Sequence, residues 1–190
     1  MRANPERRAL IADTALAILA DDGAGGLTHR TVDTRAGLPQ GTTSNFFRTR
    51  IALLQAAGER MAELHWDQVA KIRADLGAPT GRAGAARLLA HVLDPADEVM
   101  RRRNLARFEL YLEANRQPEL RAIMADIYAA AMEAAGVVLT ACGLDPSAEQ
   151  LRRFSRLLNG IAFDHLTLPV GPIPQAELAR LIEGLMDVAF

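Results

Sequence analysis

Between Leu27 and Leu54 the side chains are of the kind that meet a polyanion rather than break a bond. Thr28, His29 and Arg30 start one short segment, Gln40, Gly41, Thr42, Thr43, Ser44 and Asn45 start a second, and Arg48 and Arg50 follow it. A helix N-terminus turns unpaired N–H groups and partial positive charge outward, so each start is a candidate phosphate site. Thr28 and the backbone after it would hold one phosphate, with His29 or Arg30 beside it. At the second start, Gly41 and the short side chains around it let a backbone approach a groove. Gln40 suits bidentate pairing with adenine, and the methyls of Thr42 and Thr43 suit thymine methyls. Arg48 and Arg50 are placed for flanking phosphates, contacts that position a protein without reading sequence.

Other chemistry finds no pattern to stand on. The chain has no His-Glu-x-x-His or Glu-x-x-His spacing, no Gly-x-Ser-x-Gly elbow and no phosphate loop, since Lys71 follows Ala70. The histidines His29, His65, His91 and His165 are far apart in sequence. No catalytic residue, metal or cofactor is expected, and the chain reads as a non-enzyme. The alternatives are a small all-helical enzyme, or a ligand-binding or adaptor protein that does not bind DNA. A single cysteine, Cys142, forms no internal disulfide and fits a reducing, cytoplasmic setting. It reads as a small buried residue before it reads as a redox sensor.

These side chains must be positioned by helices. Of 190 residues, 49% are apolar and only 5% aromatic, which favours an all-α chain with a sizeable core. The formal net charge is −1, so any nucleic-acid signal must be local. Residues 1–55 carry a balance of +2 and the remainder −3. No uncharged apolar run reaches the roughly 20 residues of a membrane span, and no membrane partner is expected.

The first helix is expected from about Pro5 to Asp22, capped by Asn4 and stopped by Gly23, Gly25 and Gly26. Ile11, Ala15 and Leu19 lie on its buried face. Two helices of about two turns follow, near His29–Ala36 and Gln40–Phe46, joined by Gly37, Leu38 and Pro39; this is a helix-turn-helix. The face from Gln40 to Asn45 is nearly all polar, while Phe46 and Phe47 anchor the opposite side. A long helix runs from about Thr49 to breaks at Gly77, Ala78 and Pro79. Five more helices are expected near 81–93, 96–116, 118–142, 147–168 and 175–190, separated by Asp94-Pro95, Gln117-Pro118, Gly143 and the run 169–174. Residues 1–50 are expected to form a DNA-binding head and 51–190 a larger helical body, about nine helices in all.

The segment Leu27 to Leu54, with the helix before it, resembles the DNA-binding head of the TetR family of bacterial transcriptional regulators. The likeness is carried by Ile11, Ala15, Leu19 and Gly23; by Thr28, Val32, Ala36, Gly37 and Leu38; by Gly41-Thr42; and by Phe47, Arg50, Leu53 and Leu54. The resemblance covers roughly the first 55 residues. Members commonly place Tyr where Ser44 stands and a small residue where Asp33 stands. Asp33 is expected to cap a helix or to pair with Arg30 or Arg35.

The resemblance implies a ligand-responsive regulator, a repressor that releases double-stranded DNA when a small effector binds the body, and a homodimer. A dimer also follows from physics, because one short recognition helix reads few base pairs and two-fold pairing predicts a palindromic operator. Leu151, Phe154, Leu158, Ile161 and His165 form one candidate interface stripe, and Leu178, Leu181, Ile182, Leu185 and Met186 another; a monomer core would use the same stripes. Candidate ligand-binding residues are His65, Trp66, Asn104, Phe108, Tyr111, Tyr128, Asn159 and Phe163, of which Asn104, Phe108 and Tyr111 share a helix face. Few charges fall among them, so the effector is expected to be largely apolar or aromatic. Arg101, Arg102 and Arg103 point around a helix and suit solvent or pairing with acidic neighbours.

Overall fold

A computed structural model of the chain describes residues 4–75, 80–94, 96–168 and 171–190. Among the described residues there are nine α-helices and no strands. They are α1 (Pro5–Gly26), α2 (His29–Arg35), α3 (Thr42–Phe46), α4 (Arg50–Asp75), α5 (Gly81–Val92), α6 (Glu98–Arg116), α7 (Arg121–Ala141), α8 (Ala148–Thr167) and α9 (Gln175–Ala189). A 3-10 turn at Pro118–Leu120 precedes α7, so the single helix expected over 118–142 is divided at its first turn. The expected breaks at Gly77–Pro79, at Pro95 and at residues 169 and 170 lie outside the described residues.

Met1–Leu64 and Arg102–Ile127 make one compact unit. Asn4 caps α1 by accepting the Arg7 N–H at 3.1 Å, and Pro5 occupies the first turn, where no N–H is needed. Helical dihedrals fail at Gly23, with φ 68° and ψ −177°, close to the expected stop, and a short turn carries on to Gly26. The face bearing Ile11, Ala15, Ile18 and Leu19 is buried with Leu27, Val32, Phe47, Leu53 and Leu54, joined by Ala106, Leu110, Leu120 and Ile127. This core fixes how α2 and α3 are held. At Gly58 on α4 a Cβ would collide with the Ile123 side chain on α7, so the two helices meet there only because the side chain is missing.

His65–Arg101 and Tyr128–Phe190 make the second unit. Here α9 packs against both α5 and α8. Leu178, Ile182 and Met186 of α9 are fully buried, as is Phe154 of α8, whose ring lies 5.7 Å from that of Phe190. A capping box starts α8: Ser147 accepts the Gln150 N–H while the Gln150 side chain accepts the Ser147 N–H. The stretch Pro118–Ala141 is long and apolar enough, with a mean hydropathy of 1.6, to pass for a membrane span. Glu119, Arg121, Asp126 and Glu133 interrupt it, and Leu120, Ile127, Ala130, Val138 and Leu139 are buried.

Candidate nucleic-acid interface

The polar segment starts from a buried carboxylate. Asp33, on α2, is 1% exposed and accepts three hydrogen bonds from the start of α3: from the Gly41 N–H at 2.7 Å, the Thr43 N–H at 2.8 Å and the Thr43 hydroxyl at 2.6 Å. Burial works against its charge. The Thr43 hydroxyl, the two N–H groups and nearby His29 outweigh that penalty, and the carboxyl stays below its ordinary pKa. Asp33 therefore caps the following helix. It is not paired with Arg30 or Arg35, because Arg35 reaches the end of α1 and binds Asp21 at 2.9 Å and Asp22 at 3.0 Å.

This capping sets where α3 begins. Gly41 adopts φ 89°, a left-handed conformation that other residues resist, and α3 starts at Thr42, two residues later than the pattern suggests. Gln40, Ser44 and Asn45 are exposed on the outer side, with Arg30, Arg48 and Thr28 also exposed. Thr28 caps α2 through the Thr31 N–H. The hydroxyls of Thr42 and Ser44 donate locally, to Pro39 O and Gly41 O.

Three assignments need correction. Thr43 is fully buried, because its side chain faces Asp33 across the turn and cannot reach a thymine methyl. His29 is half-buried and holds the Phe47 carbonyl through Nε2 at 2.6 Å, which ties α2 to the end of α3 instead of leaving the ring for a phosphate. Arg50 turns inward. It donates to Glu113 at 3.0 Å and to the Ala24 carbonyl at 2.6 Å, so Arg48 is the exposed arginine of the pair.

Arg50 belongs to a clamp that sequence alone does not reveal. At the α1 kink the Ala24 N–H donates to Glu109 at 2.9 Å, while the Ala24 carbonyl is taken by Arg50 and, through it, Glu113. Glu109 and Glu113 are one turn apart on α6. Burial raises the Glu113 pKa, but Arg50, Arg116 and Gln117 together bring it below its usual range. Arg102, two turns before Glu109, binds Asp21. Helix α6 thus grips the end of α1 at three points, and the Arg101–Arg103 run is partly explained by pairing with acidic neighbours.

The other candidate residues are divided between the units. In the first, Asn104 and Phe108 are buried and Tyr111 half-buried, with the Phe108 and Tyr111 rings 6.4 Å apart. In the second, His65, Tyr128 and Asn159 are half-buried, and Tyr128 donates to Arg152 O at 3.4 Å. Trp66 and Phe163 are nearly half exposed. Arg107 was missed. It lies on the Asn104, Phe108 and Tyr111 face at helical spacing, and a charged type at that position reads as solvent-facing.

The interface stripes also change. Phe154, His165, Leu178, Ile182 and Met186 are buried within the second unit, so they are core residues; the same helical period serves either role. His165 Nδ1 accepts the Ile173 N–H at 3.0 Å, a contact internal to the chain. Leu151, Leu158, Ile161 and Leu185 are half-buried and Leu181 is exposed. Cys142 is buried, and desolvation pushes its thiol above the usual pKa, away from the reactive thiolate.

The family model described as "Tetracyclin repressor-like, C-terminal domain" matches residues 80–188, more than half of the chain. The chain belongs to the TetR family. The match of this TetR-family regulator to the family model lies wholly in the body, and likeness to solved structures extends over the head. The multidrug binding protein EbrR, solved with ethidium, is 28% identical with a TM-score of 0.71, over 96% of this chain and 99% of that one. With malachite green the same protein gives 26% identity and a TM-score of 0.66, over 95% and 98%. The TetR-family member SCO1917 from Streptomyces coelicolor A3 is 29% identical with a TM-score of 0.70, over 95% and 98%. No curated protein matches.

Proposed function

We propose that this TetR-family regulator is a cytoplasmic repressor that binds a palindromic operator as a homodimer and releases it when a small organic effector binds. Residues 1–50 are the DNA-binding head and 51–190 the ligand-binding and dimerisation body. The observation that carries the reading is the outer side of α3: Gln40, Ser44 and Asn45 are exposed beside Arg30 and Arg48, while Asp33 and Thr43 lock the turn behind them. Gln40 reads a base edge, and Arg30, Arg48 and Thr28 hold phosphates.

The second copy docks on the outer edge of α9, where Leu181, Leu185 and Val188 follow one another at helical spacing, with Leu157, Leu158 and Ile161 of α8. Effector binding is read through α6. That helix bears Asn104, Phe108 and Tyr111 and also the carboxylates that hold Ala24 and Arg50, so an effector that favours one setting of α6 shifts the population of head positions. The EbrR structures, with ethidium and malachite green, are in keeping with an aromatic effector.

Selection of bound fragments from random duplex DNA tests the reading. Enrichment of an inverted repeat is expected, and a chain that enriched nothing at low ionic strength would not be a regulator of this kind. Loss of the fragment on adding an effector, and its absence with an activator-type response, separate repressor from activator.

A further inference from the structure

Arg107 sits in the middle of α6 and is only 6% exposed, yet it makes no ion pair or hydrogen bond among the described residues. Its Nε is fully sheltered and has no acceptor. What it does have is aromatic: the guanidinium carbon stands 5.0 Å from the centre of the Phe108 ring and 5.8 Å from that of Tyr111. Burial lowers its proton affinity, and an arginine nevertheless remains charged at neutral pH. The neighbouring arginines of α6 differ in this respect, since Arg101, Arg102 and Arg116 each have a carboxylate partner.

A buried cation without a counterion is a standing cost to the fold. Aromatic rings attract the guanidinium but accept none of its in-plane N–H bonds. Those N–H groups form a fork matched to a planar carboxylate, and they lie on the helix face shared with Asn104, Phe108 and Tyr111. We propose that Arg107 is the anion-binding residue of the effector site, and that the effector is an aromatic carboxylate whose ring packs with Phe108 and Tyr111. This rests on the reading of the α6 face as ligand-bearing. It adds a charge to the apolar or aromatic effector read from the sequence, and it disfavours a permanently cationic ligand such as ethidium, which a buried guanidinium repels.

The test uses the full chain, thermal unfolding and calorimetric titration. Benzoate, salicylate and 1-naphthoate are compared with the matching neutral amides and with ethidium, for the wild type, Arg107→Met and Arg116→Ala. At least one carboxylate is expected to raise the Tm of the wild type and of Arg116→Ala with saturable binding, while its amide and ethidium bind at least about tenfold more weakly. Arg107→Met is expected to lose that binding and, without any ligand, to melt at a higher temperature than the wild type, because an uncompensated charge has been replaced by an apolar chain of similar length. A carboxylate that stabilises Arg107→Met as well as the wild type overturns the proposal. So does a panel in which no carboxylate binds, or a ligand-free Arg107→Met that melts well below the wild type. Operator binding without ligand is measured on the same proteins: its absence in the wild type counts against the regulator reading, whereas its retention with no carboxylate response counts against Arg107 alone.

Discussion

Asp33 and Thr43 are joined twice, the carboxylate taking the Thr43 N–H at 2.8 Å and the Thr43 hydroxyl at 2.6 Å through the same oxygen, while its other oxygen takes the Gly41 N–H. A five-residue helix cannot hold itself together, because nucleation costs more than so few bonds return. α3 is therefore held by α2, through this carboxylate and through the packing of Phe47 and Val32 in the core.

Asp33→Ala leaves two sheltered N–H groups without acceptors and is expected to cost about 2–3 kcal/mol. Asp33→Asn keeps one acceptor oxygen and is expected to cost about 1 kcal/mol. Urea denaturation followed by circular dichroism checks both. Equal midpoints for the wild type and Asp33→Ala would show that the cap does not hold α3.

Acid should find the same group. Asp33 and Glu113 both have folded pKa values below their ordinary ones, despite burial, because of Thr43 and Gly41 in one case and Arg50, Arg116 and Gln117 in the other. A depressed carboxyl contributes stability that is present above its unfolded pKa, about 4, and is lost as pH falls through the folded value. Unfolding free energy from these two groups is thus level between neutral pH and about 5 and declines below about 4. Asp33→Asn should show a shallower decline in an acid titration; parallel curves would remove Asp33 from the account.

The two arginines before and at the start of α4 should separate by assay. Arg48→Ala is expected to weaken binding to every duplex and to reduce the salt dependence by about one unit, with stability unchanged within about 0.5 kcal/mol. Arg50→Ala is expected to lower stability by about 1–2 kcal/mol, because Glu113 loses a partner in a sheltered place, and to leave the salt slope nearly unaltered. Gln40→Ala should relax base choice at one operator position. Binding isotherms across salt concentrations and on single-base variants distinguish the three, and a salt slope that changes only in Arg50→Ala would reverse the assignment of Arg48 and Arg50.

Gly58→Ala goes against helix propensity. In an exposed helix the change stabilises by about 1 kcal/mol, but here the new methyl meets a branched side chain, Ile123, that has little room to turn. A loss of about 1–3 kcal/mol is expected. Partial rescue by Ile123→Ala in a double-mutant comparison checks the cause; a Gly58→Ala protein as stable as the wild type would mean that the helices separate freely.

Local chemistry was legible in the chain itself. Asn4, Pro5 and Gly23 mark the ends of α1, Ser147 starts α8, and the short segments around Gly37 and Gly41 announce a helix-turn-helix, because caps, breakers and period depend on near neighbours. The polar outer side of α3 was legible for the same reason. Partners far along the chain were not. That Arg50 is spent on Glu113 and Ala24 while Arg48 is exposed, that Thr43 faces a carboxylate, and that Phe154 and Ile182 are core residues whereas Leu181 is exposed follow only from which helices meet. Arg107 shows the limit most plainly: its residue type argues for water, and only packing decides that a cation is buried beside two rings, since burial is a property of the assembled elements and not of any one segment.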